Sequence, residues 1–324
     1  MNLLLNKLKK PFVYAIIFTV LLLFCNCYVI LKTFCLPSVT GYVIKNKQTD
    51  SQGGNIQNNS TQNQNVKNNT QDSASLQTPL ITDNSYTDDN ISIEINTIRE
   101  FDTDIYIADI TLSSPDYLKT ALANDMVGTN ITQKTSQIAQ ENNAIFAING
   151  DYYGANPRGY VIKNGEIYRS TVRRDSQYQD LVIYKNGTFD FIYETETSAE
   201  ELLDSGAVNL FAFGPGLVQN GEIIISEGEE VGKAMSNNPR TAIGIIDELH
   251  YIMIVSDGRT SKSQGLSLYE LAHILQDSGC QTGYNLDGGG SSTMYFNGKI
   301  INNPTTNGRK ISERSVSDIV YIGY

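Results

Sequence analysis

Three polar segments, each carrying a glycine and a carboxylate, follow apolar runs: Asn149-Gly150-Asp151 after AIFAI, Asp257-Gly258-Arg259 after YIMIVS, and Asp287-Gly288-Gly289-Gly290-Ser291-Ser292 after GYNL. Carboxylates so placed can act as general acid, general base or nucleophile, which makes Asp287, Asp257 and Asp151 the candidate catalytic groups. Successive glycines let backbone N–H groups converge on one anion without interference from Cβ. Ser291 and Ser292 would add hydroxyl donors. Arg240 and Arg259 would add charge in a fork geometry suited to phosphate. Together these residue types suggest work on a phosphate-bearing substrate.

Each of these residues also has a plainer use. Asp151 and Asp257 suit turns after strands, and glycine runs most often make tight turns. Isolated Asp/Arg pairs are commonly structural partners. Ser267-Leu268-Tyr269-Glu270 is a capping box, so Glu270 closes a helix start. His273 lies beside that helix's apolar face and reads as solvated. Cys280 has no nearby His and reads as a small packed residue. Tyr152 and Tyr153 could stack on a sugar ring or divide between core and surface. Asp151, Asp257 and Asp287 could also hold a hard cation through oxygen ligands. Metal ligands are therefore left unassigned and a structural calcium stays open, although the chemistry requires no cofactor.

Strands must bring these segments together. The runs at 241–246 and 251–255 are separated by four residues, which is hairpin spacing, and residues paired across it sum to about 496–497. Arg240 would then lie opposite Ser256 or Asp257. Strand 251–255, helix 267–278 and strand 282–286 form a crossover if the two strands run parallel, so that both following loops leave one sheet edge. Ligands in open sheets sit at such carboxyl ends. Alternating or apolar runs predict further strands at 91–98, 104–112, 144–148, 160–163, 166–169, 181–184, 189–193, 208–213, 293–296 and 319–322. Helices are predicted at 114–125, 132–143 and 198–204. The fold class is α+β (mixed α/β): a twisted mixed β-sheet core with flanking helices and the site at strand carboxyl ends.

Composition narrows the function. The 324 residues carry 24 Lys and Arg against 35 Asp and Glu, a net charge of −11, which argues against nucleic acid as a partner. Two His exclude a His-rich metal site and disfavour a Ser-His-Asp hydrolase. Residues 11–31 contain no charge, and as a helix they would span about 31 Å, enough to cross a bilayer. Lys7, Lys9 and Lys10 precede them. The expected topology is a cytoplasmic tail at 1–10, an uncleaved single-pass anchor at 11–31, and the remainder extracellular. Between residues 48 and 78, 22 of 31 positions are Asn, Gln, Ser or Thr, so 32–90 is expected to be a disordered tether. Residues 91–324 suffice for one sizeable domain.

The ordered set INGDYY, NPRTAIGI, SDGR, GLSLYELAHIL, NLDGGGSSTM and ERSVSDIV resembles the phosphodiester glycosidase family, which includes bacterial proteins of the exopolysaccharide-biosynthesis type. The resemblance covers about 91–324. It implies cleavage between a sugar anomeric carbon and a phosphodiester, releasing sugar and a phosphomonoester. The family's Asn-Gly turn falls on Asn149 and Gly150, and its Arg-Thr segment on Arg240 and Thr241. Its Asp-Gly-Arg falls on Asp257, Gly258 and Arg259, and its signature run on Asn285 to Ser291. The expected reading is that Arg240, Arg259 and the backbone of 288–292 hold the phosphodiester while Asp287 or Asp257 assists attack. On that reading, Arg240→Ala would cost turnover but not the fold. The partners are then a phosphodiester-linked glycan of the cell surface or wall and, through the N-terminal helix, the membrane. A non-catalytic polysaccharide-binding module and a metal-dependent phosphodiesterase are the alternatives.

Overall fold

Alternation along single strands sets the layers. In His250–Ser256, the side chains of Tyr251, Met253 and Val255 point into one core and those of Ile252 and Ile254 into another. The computed structural model of the chain describes residues 11–42, 78–173, 178–230 and 237–324. The expected tail at 1–10 lies outside the described residues, as do residues 43–77 of the expected tether; the described parts of that tether are not disordered, because the N-terminal helix runs on to Phe34 and Ser38–Tyr42, Leu80–Ile81 and Ser85–Thr87 pair as strands.

Among the described residues, the largest sheet has nine strands. Within it, Thr241–Asp247 is flanked by Thr282–Leu286 on one side and by His250–Ser256 and then Thr103–Leu112 on the other. A five-stranded sheet orders Lys299–Ile300, Met294–Phe296, Phe146–Asn149, Asp318–Ile322 and Leu118–Leu122. A third sheet has Asp180–Tyr184 at its centre. The two smaller sheets pack on one face of the large one, through Phe146, Ile148, Val320, Leu181 and Phe211 against Tyr251, Met253 and Val255. Helix Leu268–Asp277 covers the other face through Leu268, Leu271, Ala272 and Leu275. Each of these leucines, fully buried, contributes about 1.5–3 kcal/mol.

The fold is α+β as expected, but the sheet is not mixed. Every strand pairing among the described residues is antiparallel. The crossover strands His250–Ser256 and Thr282–Leu286 do run in the same direction, because each pairs antiparallel with Thr241–Asp247, which lies between them. Their following loops therefore leave one edge.

One predicted helix is absent. Residues 114–125 form a single 3-10 turn at Pro115–Tyr117, the strand Leu118–Leu122, and a second turn at Ala123–Asp125. Leu118–Leu122 pairs along its whole length with Asp318–Ile322, a partner nearly 200 residues away. Long-range pairing overrides local preference here. At the N-terminus, Pro11–Phe34 is one helix, and an 18-residue window within Phe12–Phe34 has a mean hydropathy of 2.4, so that the helix is long and apolar enough to cross a membrane.

Candidate active site

Thr241 pairs with both Val255 and Leu286, so Arg240, Ser256 and Asp287 reach the same edge of the large sheet. The Ser256 N–H donates to the Arg240 carbonyl at 2.9 Å, and the Arg240 N–H donates to Ser256 Oγ at 2.9 Å. The hairpin register expected from sequence is the one observed. Strand Phe146–Asn149 of the five-stranded sheet arrives at this edge too. The buried Asn149 side chain donates from Nδ2 to the Asp287 carbonyl at 2.6 Å. Its Oδ1 accepts from Thr241 Oγ1 at 2.8 Å and from the Thr293 N–H at 3.1 Å. The Asp287 N–H donates to the Gly150 carbonyl at 3.1 Å. Asn149, Gly150 and Thr241 thus knit two sheets together beneath Asp287.

Asp287 is 6% exposed. Its Oδ2 accepts from Ser291 Oγ at 2.6 Å, and both carboxylate oxygens lie 3.1 Å from Arg314 Nη2. Arg314 also donates to Ser291 Oγ from Nε and to the Gly288 carbonyl from Nη2, and its own N–H donates to the Gly290 carbonyl. Burial pushes the Asp287 carboxyl above its ordinary range, against the opposing pull of Arg314 and Ser291. Arg259 lies over the same loop: a Cβ on Gly289 would stand 2.8 Å from Arg259 Nη2. Asn238 Oδ1 and the Thr306 carbonyl accept from the Arg259 guanidinium. Burial, and then the charges of Arg314 and Arg240, push the Arg259 pKa down.

Several expected site residues turn out to be occupied. The Asp151 oxygens accept the N–H groups of Tyr152 at 2.6 Å and Ala212 at 2.7 Å. The Asp257 oxygens accept the Asn303 N–H and Nδ2, both at 2.8 Å, and the Tyr106 hydroxyl at 3.3 Å. Arg240 is 3% exposed; its Nε donates to the Leu266 carbonyl, and its Nη2 bonds Glu230 beside the helix start. An Arg240 guanidinium directed at the glycine bend was expected. Instead it is engaged by a carboxylate and a carbonyl, because strand alternation puts residue 240 on the face of Ala242, under helix Leu268–Asp277. Asn285 is buried, with Nδ2 donating to the Gly214 carbonyl at 2.7 Å.

The glycine run also differs from an open anion nest. The Gly289 N–H donates to the Pro239 carbonyl at 2.7 Å, and Gly289–Ser291 is a 3-10 turn. A Cβ on Gly288 would stand 2.9 Å from the Pro239 oxygen, and one on Gly290 would stand 2.4 Å from Thr306 Oγ1. These glycines allow close approach of backbone. Ser291 reaches Asp287, while Ser292 is fully buried. Among the described residues no group of three His, Cys, Asp or Glu is arranged to hold a metal ion.

Sequence reasoning did not single out Arg314, Asp318 or Lys163. Lys163 Nζ lies 2.7 Å from Asp318 Oδ2, with both side chains essentially fully buried. Asp318 Oδ1 accepts the Asp151 N–H at 2.6 Å, and a Cβ on Gly150 would meet that oxygen at 2.5 Å. Burial raises the Asp318 carboxyl to about 6, against the attraction of Lys163. The segment ERSVSDIV contains both Arg314 and Asp318, so its presence among the six motifs was the available signal.

Asp287 opens onto a cavity of about 140 Å³ bordered by Asn130, Tyr152, Gly154, Ser315 and Ser317. Tyr152, 47% exposed, also borders a second cavity of about 120 Å³ with Arg158, Arg169 and Arg173.

A family model described as phosphodiester glycosidase matches residues 142–323. The chain is 30% identical over 200 residues to the SPbeta prophage-derived protein YomE of Bacillus subtilis, covering 61% of this chain and 30% of that protein. It is 31% identical over 161 residues to N-acetylglucosamine-1-phosphodiester alpha-N-acetylglucosaminidase of Mus musculus, covering 45% of this chain and 30% of that protein. The chain therefore spans about a third of the length of these relatives. The catalytic domain of the zebrafish N-acetylglucosamine-1-phosphodiester alpha-N-acetylglucosaminidase has the same fold. Its TM-score is 0.56 at 23% identity, covering 72% of this chain and 83% of that one.

Proposed function

The chain belongs to the phosphodiester glycosidase family, and on that premise we propose that it hydrolyses the bond between a sugar anomeric carbon and a phosphodiester. The observation that carries this reading is the unit formed by Asp287, Ser291 and Arg314, of which Asp287 lines the cavity, with Arg259 over the same loop. Arg314 and Arg259 hold the phosphodiester and stabilise charge that develops on the leaving oxygen. Removing one such preorganised donor typically costs about 10²–10³ in turnover. Water attacks the anomeric carbon, its proton passes to the Asp287 carboxylate, and the carbon–oxygen bond to phosphorus breaks. The products are a free sugar and a phosphomonoester whose P–O bonds are intact.

The supporting roles follow from the bonding. Asn149, Gly150 and Thr241 hold the Asp287 backbone, Asp151 pins the 152–212 contact, and Asp257 holds the loop at Asn303. Tyr152 presents an aromatic face to a sugar ring at the mouth. The apolar N-terminal helix supports a membrane anchor, with the domain on the external side and a phosphodiester-linked surface or wall glycan as substrate. The mouse relative's name makes N-acetylglucosamine the first sugar to test.

A panel of sugar-1-phosphate diesters incubated with the full chain in heavy-oxygen water tests the reading. Label in the released sugar is the expected result. Label in the phosphate would instead support a phosphodiesterase cutting the other side, and binding without product would support a glycan-binding module.

A further inference from the structure

The anchor helix ends against the candidate site. Only three residues separate Pro11–Phe34 from Ser38–Tyr42, and that strand pairs antiparallel with Met126–Thr129, Ser38 opposite Thr129 and Tyr42 opposite Met126. The fit is close: a Cβ on Gly128 would stand 2.0 Å from the Ser38 carbonyl oxygen. Thr40 Oγ1 donates to the Val127 carbonyl at 3.1 Å. Asn130 Nδ2 then donates to the carbonyls of Thr33 and Leu36, 3.2 Å each, at the very end of the helix. Such carbonyls lack intrahelical partners and need others. The same Asn130 borders the Asp287 cavity, and its N–H donates to the carbonyl of Gly154, another wall residue.

The 23 residues of Phe12–Phe34 span about 35 Å at ~1.5 Å per residue, slightly more than the ~30 Å hydrocarbon layer. On the membrane-anchor reading, Thr33 and Leu36 would therefore lie at the headgroup level, and so would the wall of the cavity that touches them. The Asn/Gln-rich stretch does not set this distance. The chain is already docked on the domain at Ser38–Tyr42 before that stretch begins, and it rejoins the domain at Leu80–Ile81.

Resting on the hydrolase and membrane-anchor readings above, we propose that the site works at the bilayer surface and that its substrate class is a sugar-1-phosphodiester whose second ester carries a membrane-embedded lipid chain. Water enters at the anomeric carbon, and the lipid phosphomonoester stays in the bilayer while the sugar leaves.

The test uses the full chain reconstituted in phosphatidylcholine vesicles with two substrates of one sugar: its hexadecyl phosphodiester, embedded in the same vesicles, and its methyl phosphodiester, dissolved in water. The variant carries a flexible Gly/Ser insertion of about ten residues between Pro37 and Ser38, which loosens the hold on the bilayer and lowers effective concentration there. The expected result is a loss of about tenfold or more on the hexadecyl diester with no change on the methyl diester. Detergent should abolish that difference. Equal rates for the variant and the unmodified protein on the hexadecyl diester would overturn the inference while leaving the hydrolase reading standing, and so would a parallel loss on both substrates. No hydrolysis of either diester by the unmodified protein would overturn the hydrolase reading, and this inference with it.

Discussion

Arg314 Nη2 lies 3.1 Å from each oxygen of the Asp287 carboxylate, and its Nε donates to the Ser291 hydroxyl that also donates to Asp287. The guanidinium thus touches both the candidate acid–base group and the loop that carries it. Its side chain is 38% exposed, so it can meet a ligand without leaving these partners.

Replacement of Arg314 by Ala is expected to lower kcat/KM by about 10²–10³, and to lower the unfolding midpoint as well, because it leaves the buried Asp287 carboxyl without its cation. Arg314→Lys should recover only part of the loss, because an ammonium cannot reproduce the fork. Steady-state kinetics on a sugar-1-phosphodiester, beside a denaturant titration, would decide; unchanged kinetics would remove Arg314 from the site.

Arg240 should behave differently. Truncating it to Ala leaves the Glu230 carboxylate without its cation and the Leu266 carbonyl without its donor, a loss of about 3–5 kcal/mol for a buried pair. Urea unfolding should show this, and activity per folded molecule should fall less than in the Arg314 variant. A folded, fully stable but inactive Arg240→Ala would restore it to phosphate binding.

Asp287 sets a pH dependence. Because burial raises its carboxyl, the proton-accepting form appears only above the ordinary carboxylate range. The acid limb of kcat/KM should accordingly lie above that of an exposed Asp, and Asp287→Asn should remove the activity. A pH–rate profile with an acid limb at or below the ordinary Asp range would argue against Asp287 as the base.

Lys163→Met tests the buried pair with Asp318. The Asp318 pKa is raised in the folded state, from 3.8 to about 6, so its stabilising contribution is present below about 4 and lost as pH rises through about 6. Without Lys163 the burden at neutral pH grows, by about 3–5 kcal/mol. Denaturation of the variant should therefore show a deficit at pH 7.5 that narrows on acidification to pH 5. An equal deficit at both values would mean that packing, including the Lys163 contact over Phe211, carries the effect.

Gly289→Ala probes the bend itself. Gly289 has φ +64°, and an added Cβ would crowd the Arg259 guanidinium. The backbone conformation alone costs about 1 kcal/mol. The displaced Arg259 should raise KM for the phosphodiester more than it lowers kcat, which initial-rate measurements would separate.

Much of the fold was legible because it is written in local pattern. The hairpin sum of 496 gave the register of Thr241 against Val255, and the capping box at Ser267 and Glu270 marked the helix start. The crossover placed the loops after Ser256 and Leu286 on one edge. Residues 114–125 were misread because their conformation is decided by Asp318–Ile322, which no local window contains.

The sequence by itself determined which motifs exist, many of the runs that are strands, and that an apolar helix precedes a domain with an ordered set of family motifs. Only the tertiary structure decided which side chains face the cavity. Arg240 and Arg259 look alike as residues beside strand ends, yet alternation sends one under a helix and leaves the other over Gly289. Asn130 lies outside all six motifs, and Arg314, inside ERSVSDIV, serves a different one, the motif that carries Asp287. Their places depend on pairings between strands far apart in the chain, Ser38 with Thr129 and Asp318 with Leu122, and such pairing is a property of the assembled sheets, not of any single segment.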